Sequence, residues 1–327
     1  METVSAILAE QFSRIGLDIT VVTSTLGEQV GGSVSDGYRV VRSPSVGELR
    51  RLAKDSDLIF QNNISLKTLL PVLLMGKPIV VAHHTWISRV DGKQGWQDRL
   101  KRFIVRRCHN IAISQAIAAD LPVSSTVAGN PFEAEEFFAF HDAPRSRDVI
   151  FVGRLVSDKG CDLLLRAVAI LKQRGERVSL TVMGDGPEMP NLKAQARELG
   201  IEDQVDFLGS VRENRAREVA KHAVMAIPSR WAEPFGVVAL EGLAAGCAVI
   251  AADVGGLPEA VGPAGVLFPR EDPAALAGAI SEMLAAPELR ARIQQQSRQH
   301  LENFKPAIVA QKYVKVFRAA IAGAAAK

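Results

Sequence analysis

The chain has 327 residues, is 47% hydrophobic and carries a net charge of +3. That length exceeds one ordinary core and suits two domains of about 100–200 residues each, while the weak charge and lack of any motif argue against a nucleic-acid partner. No window approaches the ~18–20 uninterrupted apolar residues of a membrane span, and no basic-then-apolar leader opens the chain, so a soluble, cytoplasmic protein is expected.

In chain order, Val4, Ile7, Leu8, Phe12 and Ile15 form an apolar stripe, so the sequence opens directly on a helix. Parallel sheets normally lead into such a helix from a strand, which suggests a missing first strand and loop of roughly 15–20 residues. Strands follow over Asp18–Thr23, Leu58–Gln61, Ile79–Ala82 and Asn110–Ile113. Asp55-Ser56-Asp57 stands before a strand and reads as a helix-to-strand turn, not a metal site. His83 and His84 end the third of these strands. Adjacent strand residues point to opposite faces, so the two cannot readily share a metal, and one of them should face a cleft. Between Lys93 and Arg107, six cations interleave with Trp96, Leu100, Phe103, Ile104 and Val105. A solvated helix face explains this run most simply, and a basic amphipathic helix resting on anionic lipid is the alternative. The three cysteines (Cys108, Cys161, Cys247) lack paired metal-site spacing and read as buried thiols.

The polar stretch His141–Asp148 separates this series from a second one. Its strands are Val149–Val152, Ser179–Met183, Val205–Leu208, Val224–Ile227 and Ala248–Ala251, with amphipathic helices over Asp162–Arg174 and Glu188–Leu199. The expected fold is α/β: two Rossmann-like, doubly wound domains facing a cleft, over 1–143 and 144–303, with a final helix over 304–327. Gly153-Arg154-Leu155 with Lys159-Gly160 after the first strand could clamp a diphosphate, although many βα loops carry a basic residue. Gly184-Asp185-Gly186-Pro187 begins like a dinucleotide fingerprint, but Met189 replaces the third glycine, so a tight turn is expected. Glu233-Pro234-Phe235-Gly236-Val237 follows a strand and opens a helix, with Pro234 in the first turn and the N–H groups of Phe235, Gly236 and Val237 free to hold an anion. Glu233 then suits sugar hydroxyls and Glu241 a ribose. Equally, Glu233 could simply favour the helix dipole and Glu241 lie on the surface.

These residues together resemble the retaining GT-B glycosyltransferases of family 4. The hallmark E-x7-E is Glu233 to Glu241, within Pro228-Ser229-Arg230-Trp231-Ala232-Glu233-Pro234-Phe235-Gly236. Gly153-Arg154-Leu155 with Lys159-Gly160, Gly184–Pro187, Phe207-Leu208-Gly209 and Gly255-Gly256-Leu257-Pro258-Glu259 also fit, as do Ser114 and Gly129-Asn130-Pro131-Phe132 more loosely. The resemblance implies a retaining, metal-independent hexosyltransferase with no cofactor, working in surface polysaccharide synthesis. A UDP- or GDP-sugar would be the donor and a glycan or lipid-linked molecule the acceptor. Arg154, Lys159, Gly153, Phe235, Gly236 and Val237 would hold the diphosphate, Glu241 the ribose, and His84 and Glu233 would act at the transferred sugar. The final helix would cross back to the first domain.

Family members begin with a strand and glycine-rich loop ahead of the acidic position occupied here by Glu2. A chain lacking these would expose an apolar groove and transfer poorly. The competing readings are a nucleotide-sugar-binding remnant without turnover and a GT-B-fold sugar-nucleotide epimerase. Peripheral contact with the inner face of the membrane through 93–107 completes the expected partners.

Overall fold

The computed structural model describes residues 2–24, 33–35, 37–87, 95–211 and 213–325. Two units emerge from the contacts, one formed by 1–131 with 304–327 and the other by 132–303.

The first unit begins with α1 (Glu2–Arg14), β1 (Thr20–Thr23), β2 (Ser33–Ser35), β3 (Tyr38–Arg42), α2 (Val46–Asp55) and β4 (Ile59–Asn62). It continues with α3 (Leu66–Leu69), β5 (Ile79–His83), α4 (Trp96–Val105), β6 (His109–Ala112), α5 (Gln115–Asp120) and β7 (Thr126–Val127). Its strands form two sheets, ordered β1-β3-β2 and β4-β5-β6-β7. All pairings are parallel except β2 with β3. β5 is buried along its whole length, as expected of a parallel strand covered on both faces. β1 and β4 are edge strands among the described residues and are only partly buried.

Local chemistry fixes the helix ends. Ser45 caps α2 by accepting from the Glu48 N–H at 3.2 Å. The Asp98 carboxylate accepts from the Gly95 N–H at 2.9 Å and closes the start of α4. The basic stretch therefore does fold as a helix, with Ile104 and Val105 inward and Trp96 and Phe103 exposed. Lys93 lies outside the described residues. Asp55 ends α2, Ser56 Oγ donates to the Ala53 carbonyl and β4 follows, so Asp55-Ser56-Asp57 is the expected turn.

The second unit contains α6 (Glu135–Phe138), β8 (Arg147–Val152), α7 (Cys161–Gln173), β9 (Leu180–Met183), α8 (Met189–Glu198), β10 (Val205–Gly209), α9 (Arg215–Ala220) and β11 (His222–Ile227). It ends with α10 (Val237–Ala244), β12 (Ala248–Ala252), α11 (Leu257–Val261), β13 (Gly265–Phe268), α12 (Pro273–Ala285) and α13 (Pro287–Leu301). Its six strands form one parallel sheet in the order β10-β9-β8-β11-β12-β13. β9, β11 and β12 are buried throughout. Leu163, Leu164, Ala167, Val168 and Leu171 of α7 join Leu276, Ala277 and Ile280 of α12 in its core. The chain order reverses at β8, with β9 and β10 laid on one side and β11 to β13 on the other. Such a switch point leaves a crevice at the strands' carboxyl ends.

The last helix, α14 (Pro306–Ala325), belongs to the first unit. Val309, Tyr313, Phe317 and Ala320 lie on one helical stripe and pack with Leu8 and Phe12 of α1. Phe12, Phe60, Tyr313 and Phe317 form a ring cluster with centroids 5.2–6.4 Å apart. The Tyr313 hydroxyl is buried there without a hydrogen-bond partner among the described residues. Burying an unpaired hydroxyl is unfavourable, so Tyr313→Phe is expected to stabilise the chain by about 1 kcal/mol. Thermal unfolding reads this as a midpoint raised by a few degrees. A lowered midpoint would mean that the hydroxyl is satisfied in solution.

Candidate functional site

The β8/β11 switch point carries most of the residues singled out in the sequence. Gly153, Arg154 and Lys159 follow β8, and Ser229 to Gly236 follow β11. Gly184 and Gly186 follow β9, and Gly255 and Gly256 follow β12.

These loops touch backbone to backbone. A Cβ on Gly184 would sit 1.8 Å from the Gly153 carbonyl oxygen, and one on Gly160 1.9 Å from that of Pro228. Between them run Leu155 N–H to Asp185 O at 2.9 Å and Gly256 N–H to Glu233 O at 2.7 Å. Asp185 Oδ1 accepts from the Gly186 N–H at 2.7 Å, the tight turn expected there. Arg230 ties the Lys159 loop down from the β11 side. Its guanidinium forks onto Asp162 at 2.6 and 2.7 Å and donates to the Ser157 carbonyl at 2.9 Å. Burial works against the charge on Asp162, but the Arg230 hydrogen bonds and charge hold its carboxyl below the usual range.

Inside this frame the Lys159 ammonium donates to Glu233 Oε1. Ser229 Oγ donates to the same oxygen at 2.9 Å. Both charged side chains are mostly covered, at 19% and 12% exposure. Lys159 also lies over the Trp231 ring, 5.6 Å from its centroid. The lysine thus offsets the charge of the carboxylate. Arg154 is exposed at the rim.

Pro234 is not in the first helical turn. α10 starts at Val237, with Gly236 as N-cap at φ +103°. The left-handed residue turns the chain sharply, so the turn N-terminal to it is not helical. The first N–H groups of the helix are then those of Val237 and Val238, rather than those of Phe235 and Gly236, and the Phe235 side chain is buried.

Glu241 lies within α10, buried rather than on the surface, and both its oxygens accept from Arg215. Burial pushes its carboxyl upward, Arg215 pulls it down, and Glu136 on α6 adds to the rise. Sequence reasoning missed Arg215, Ser229's bond to Glu233 and the Arg230–Asp162 fork. Only the P-S-R-W-A-E context pointed towards the last two.

In the first unit, His83 and His84 diverge as expected. His83 is buried, with Nε2 2.9 Å from Asn110 Oδ1. His84 sits beyond the carboxyl end of β5, its N–H bonded to Asn63 Oδ1 at 2.7 Å and its Nδ1 3.1 Å from Asn130 Oδ1. With Asn130 Oδ1 accepting, the Nδ1–H tautomer is favoured and Nε2 offers a lone pair. That nitrogen has no partner among the described residues. Burial lowers the His84 pKa to about 4, against the Asn130 hydrogen bond. Ser114 serves as the cap of α5, accepting from the Ile117 N–H at 3.1 Å. Among the described residues, no group of three or more His, Cys, Asp or Glu could hold a metal ion, and no helix is long and apolar enough to cross a membrane.

Burial likewise lowers the pKa of His83, His141, His222 and His300. As pH falls below about 6.5, the unfolded chain takes up protons that the folded chain refuses, so stability falls. His84 alone accounts for on the order of 3 kcal/mol, lost fully below about pH 4. Urea midpoints at pH 7.5, 6 and 5 are expected to decrease in that order. A constant midpoint would contradict the burial of these rings.

Residues 133–300 match the family described as "Glycosyl transferases group 1", and the chain belongs to it. The D-inositol 3-phosphate glycosyltransferase of Corynebacterium glutamicum (strain R) is 37% identical over 183 residues, covering 53% of this chain and 44% of that protein. The Rhodococcus erythropolis protein of the same name is 39% identical over 166 residues, covering 48% and 37%. The chain thus matches less than half the length of these relatives. Among solved structures, Anabaena Alr3699/HepE in complex with UDP superposes with a TM-score of 0.78 at 20% identity, covering 97% of this chain and 96% of that one. A glycosyltransferase from Rickettsia africae gives 0.80 at 16% identity, covering 98% and 94%. The fold is the parallel-sheet α/β architecture of these GT-B proteins.

Proposed function

We propose that the chain is a retaining, metal-independent glycosyltransferase of family 4 that moves a hexose from a sugar nucleotide to a glycan or lipid-linked acceptor. The observation that carries this reading is the Lys159–Glu233–Ser229 cluster at the β8/β11 switch point. Arg154, Lys159, the Gly153 turn and, at the start of α10, the Gly236 cap with the Val237 N–H receive the diphosphate, whose charge grows as the sugar departs. Glu233 accepts from sugar hydroxyls and Glu241 from the ribose, and His84 acts on the transferred sugar through Nε2. The leaving phosphate takes the acceptor's proton on the same face, so configuration is retained. UDP- and GDP-sugars are the favoured donors. Support for the first comes from the Anabaena protein, solved with UDP and glucose and with UDP-glucose.

The enzyme works at the cytoplasmic face of the membrane in polysaccharide synthesis, with α4 resting on anionic lipid. Exposed Trp96 and Phe103, with Arg107 over the Phe103 ring at 4.1 Å, support that contact. Sedimentation with phosphatidylglycerol vesicles, lost in Trp96→Ser/Phe103→Ser, tests it.

Transfer is tested by following nucleoside diphosphate release from UDP-, GDP- and ADP-sugars in excess EDTA, with and without extracted glycans and lipids. Acceptor-dependent release with an unchanged anomer supports the reading. Isomerised donor without acceptor would indicate an epimerase, and nucleotide binding without any turnover a non-catalytic binder.

A further inference from the structure

Arg215 stands in the first turn of α9 and donates through Nη1 and Nη2 to the two oxygens of Glu241, Nη1 to Oε1 at 2.9 Å. Such a fork fixes the plane of a carboxylate. Glu241 is only 9% exposed, whereas the Arg215 side chain is 33% exposed beside it. A buried ion pair adds little stability over a well-packed apolar pair, so packing alone does not account for it. Without Arg215, Glu241 would face burial and the like charge of Glu136 together. The ionised carboxylate has about four lone-pair positions and the fork takes two of them.

We propose that Arg215 is the positioning residue for the donor's ribose, fixing both oxygens of Glu241 so that their remaining lone pairs accept the ribose hydroxyls. The inference rests on the reading of Glu241 as the ribose acceptor. Arg215 need not leave when the donor binds. It does not touch the reacting atoms, so it acts on donor affinity and not on the chemical step. Lysine keeps the charge but loses the fork and should replace it only in part.

The test measures KM for the sugar nucleotide and kcat in the intact chain, with calorimetric binding of the nucleoside diphosphate alongside. Arg215→Gln is expected to raise KM by about tenfold, the weight of one charge-assisted hydrogen bond, with kcat within about twofold of the parent. Arg215→Lys should fall between the two. In a Glu241→Gln background, Arg215→Gln should leave KM unchanged, because the carboxylate it positions is gone. An unchanged KM in Arg215→Gln, or an equal effect in both backgrounds, overturns the proposal. Should Arg215→Gln fail to fold, Arg215→Lys against the parent decides by the same KM-against-kcat comparison. A parent chain that binds no nucleoside diphosphate overturns the underlying reading as well, whereas a parent that binds while KM ignores Arg215 overturns this inference alone.

Discussion

Gly184→Ala is expected to destabilise the second unit by more than about 3 kcal/mol and to abolish nucleotide binding. The new methyl would lie 1.8 Å from the Gly153 carbonyl oxygen and 2.9 Å from its carbon. Neither neighbour is a flexible side-chain end, so one backbone must move. The cost grows because Gly184 sits at φ +148°, where an L side chain is strained. Movement would also break Gly184 N–H to Gly209 O at 2.8 Å and Gly153 N–H to Met183 O at 3.0 Å. Gly278 in α12 gives the contrast. A Cβ there meets nothing within 4 Å, so Gly278→Ala should be neutral or stabilise by up to about 1 kcal/mol. Denaturant unfolding and hydrogen exchange in β8 and β9 read both variants. A Gly184→Ala protein as stable as the parent would contradict the close approach of the two loops.

Glu233→Gln is expected to lower transfer by about 10²–10³-fold while leaving nucleoside diphosphate binding unchanged or tighter. The split follows from the geometry. Glu233 shares its Oε1 between Lys159 and Ser229, so it draws on the same lysine that is proposed to hold the diphosphate. The amide keeps the shape but no longer competes for that charge. What is lost is the charged acceptor proposed for the sugar's hydroxyls, whose charge counts most as the sugar becomes cationic. Steady-state rates and calorimetric titration on one preparation check both halves. Nucleotide binding that collapses in Glu233→Gln would mean that the carboxylate organises the diphosphate loop instead.

Much of this was legible in the sequence, for reasons that differ from element to element. Buried parallel strands are continuous apolar runs, so β5, β6, β8, β9, β11 and β12 stood out. β3 escaped because Arg39 and Arg42 interrupt its pattern, β7 because it spans only Thr126–Val127, and β13 because it opens on Gly265 and only Phe268 is buried. The start of α10 was misplaced because proline usually marks a first helical turn, whereas here Gly236 in the left-handed region sets the boundary. The glycine motifs were visible as motifs, yet their physical reason, carbonyl against glycine across separate loops, appears only once the chain is folded. Arg215 and Arg230 were invisible for the same cause. Their partners lie 26 and 68 positions away, and no local periodicity links such pairs.

The second unit is expected to hold a nucleoside diphosphate at the β8/β11 switch point. Titrating the intact chain by calorimetry with UDP-, GDP- and ADP-sugars in excess EDTA, beside Lys159→Ala and Glu241→Ala, tests it most directly. Saturable binding of one nucleotide class, weakened by about tenfold or more in each variant, is the predicted result. Binding that is indifferent to both substitutions, or no binding of any of the three, would contradict it.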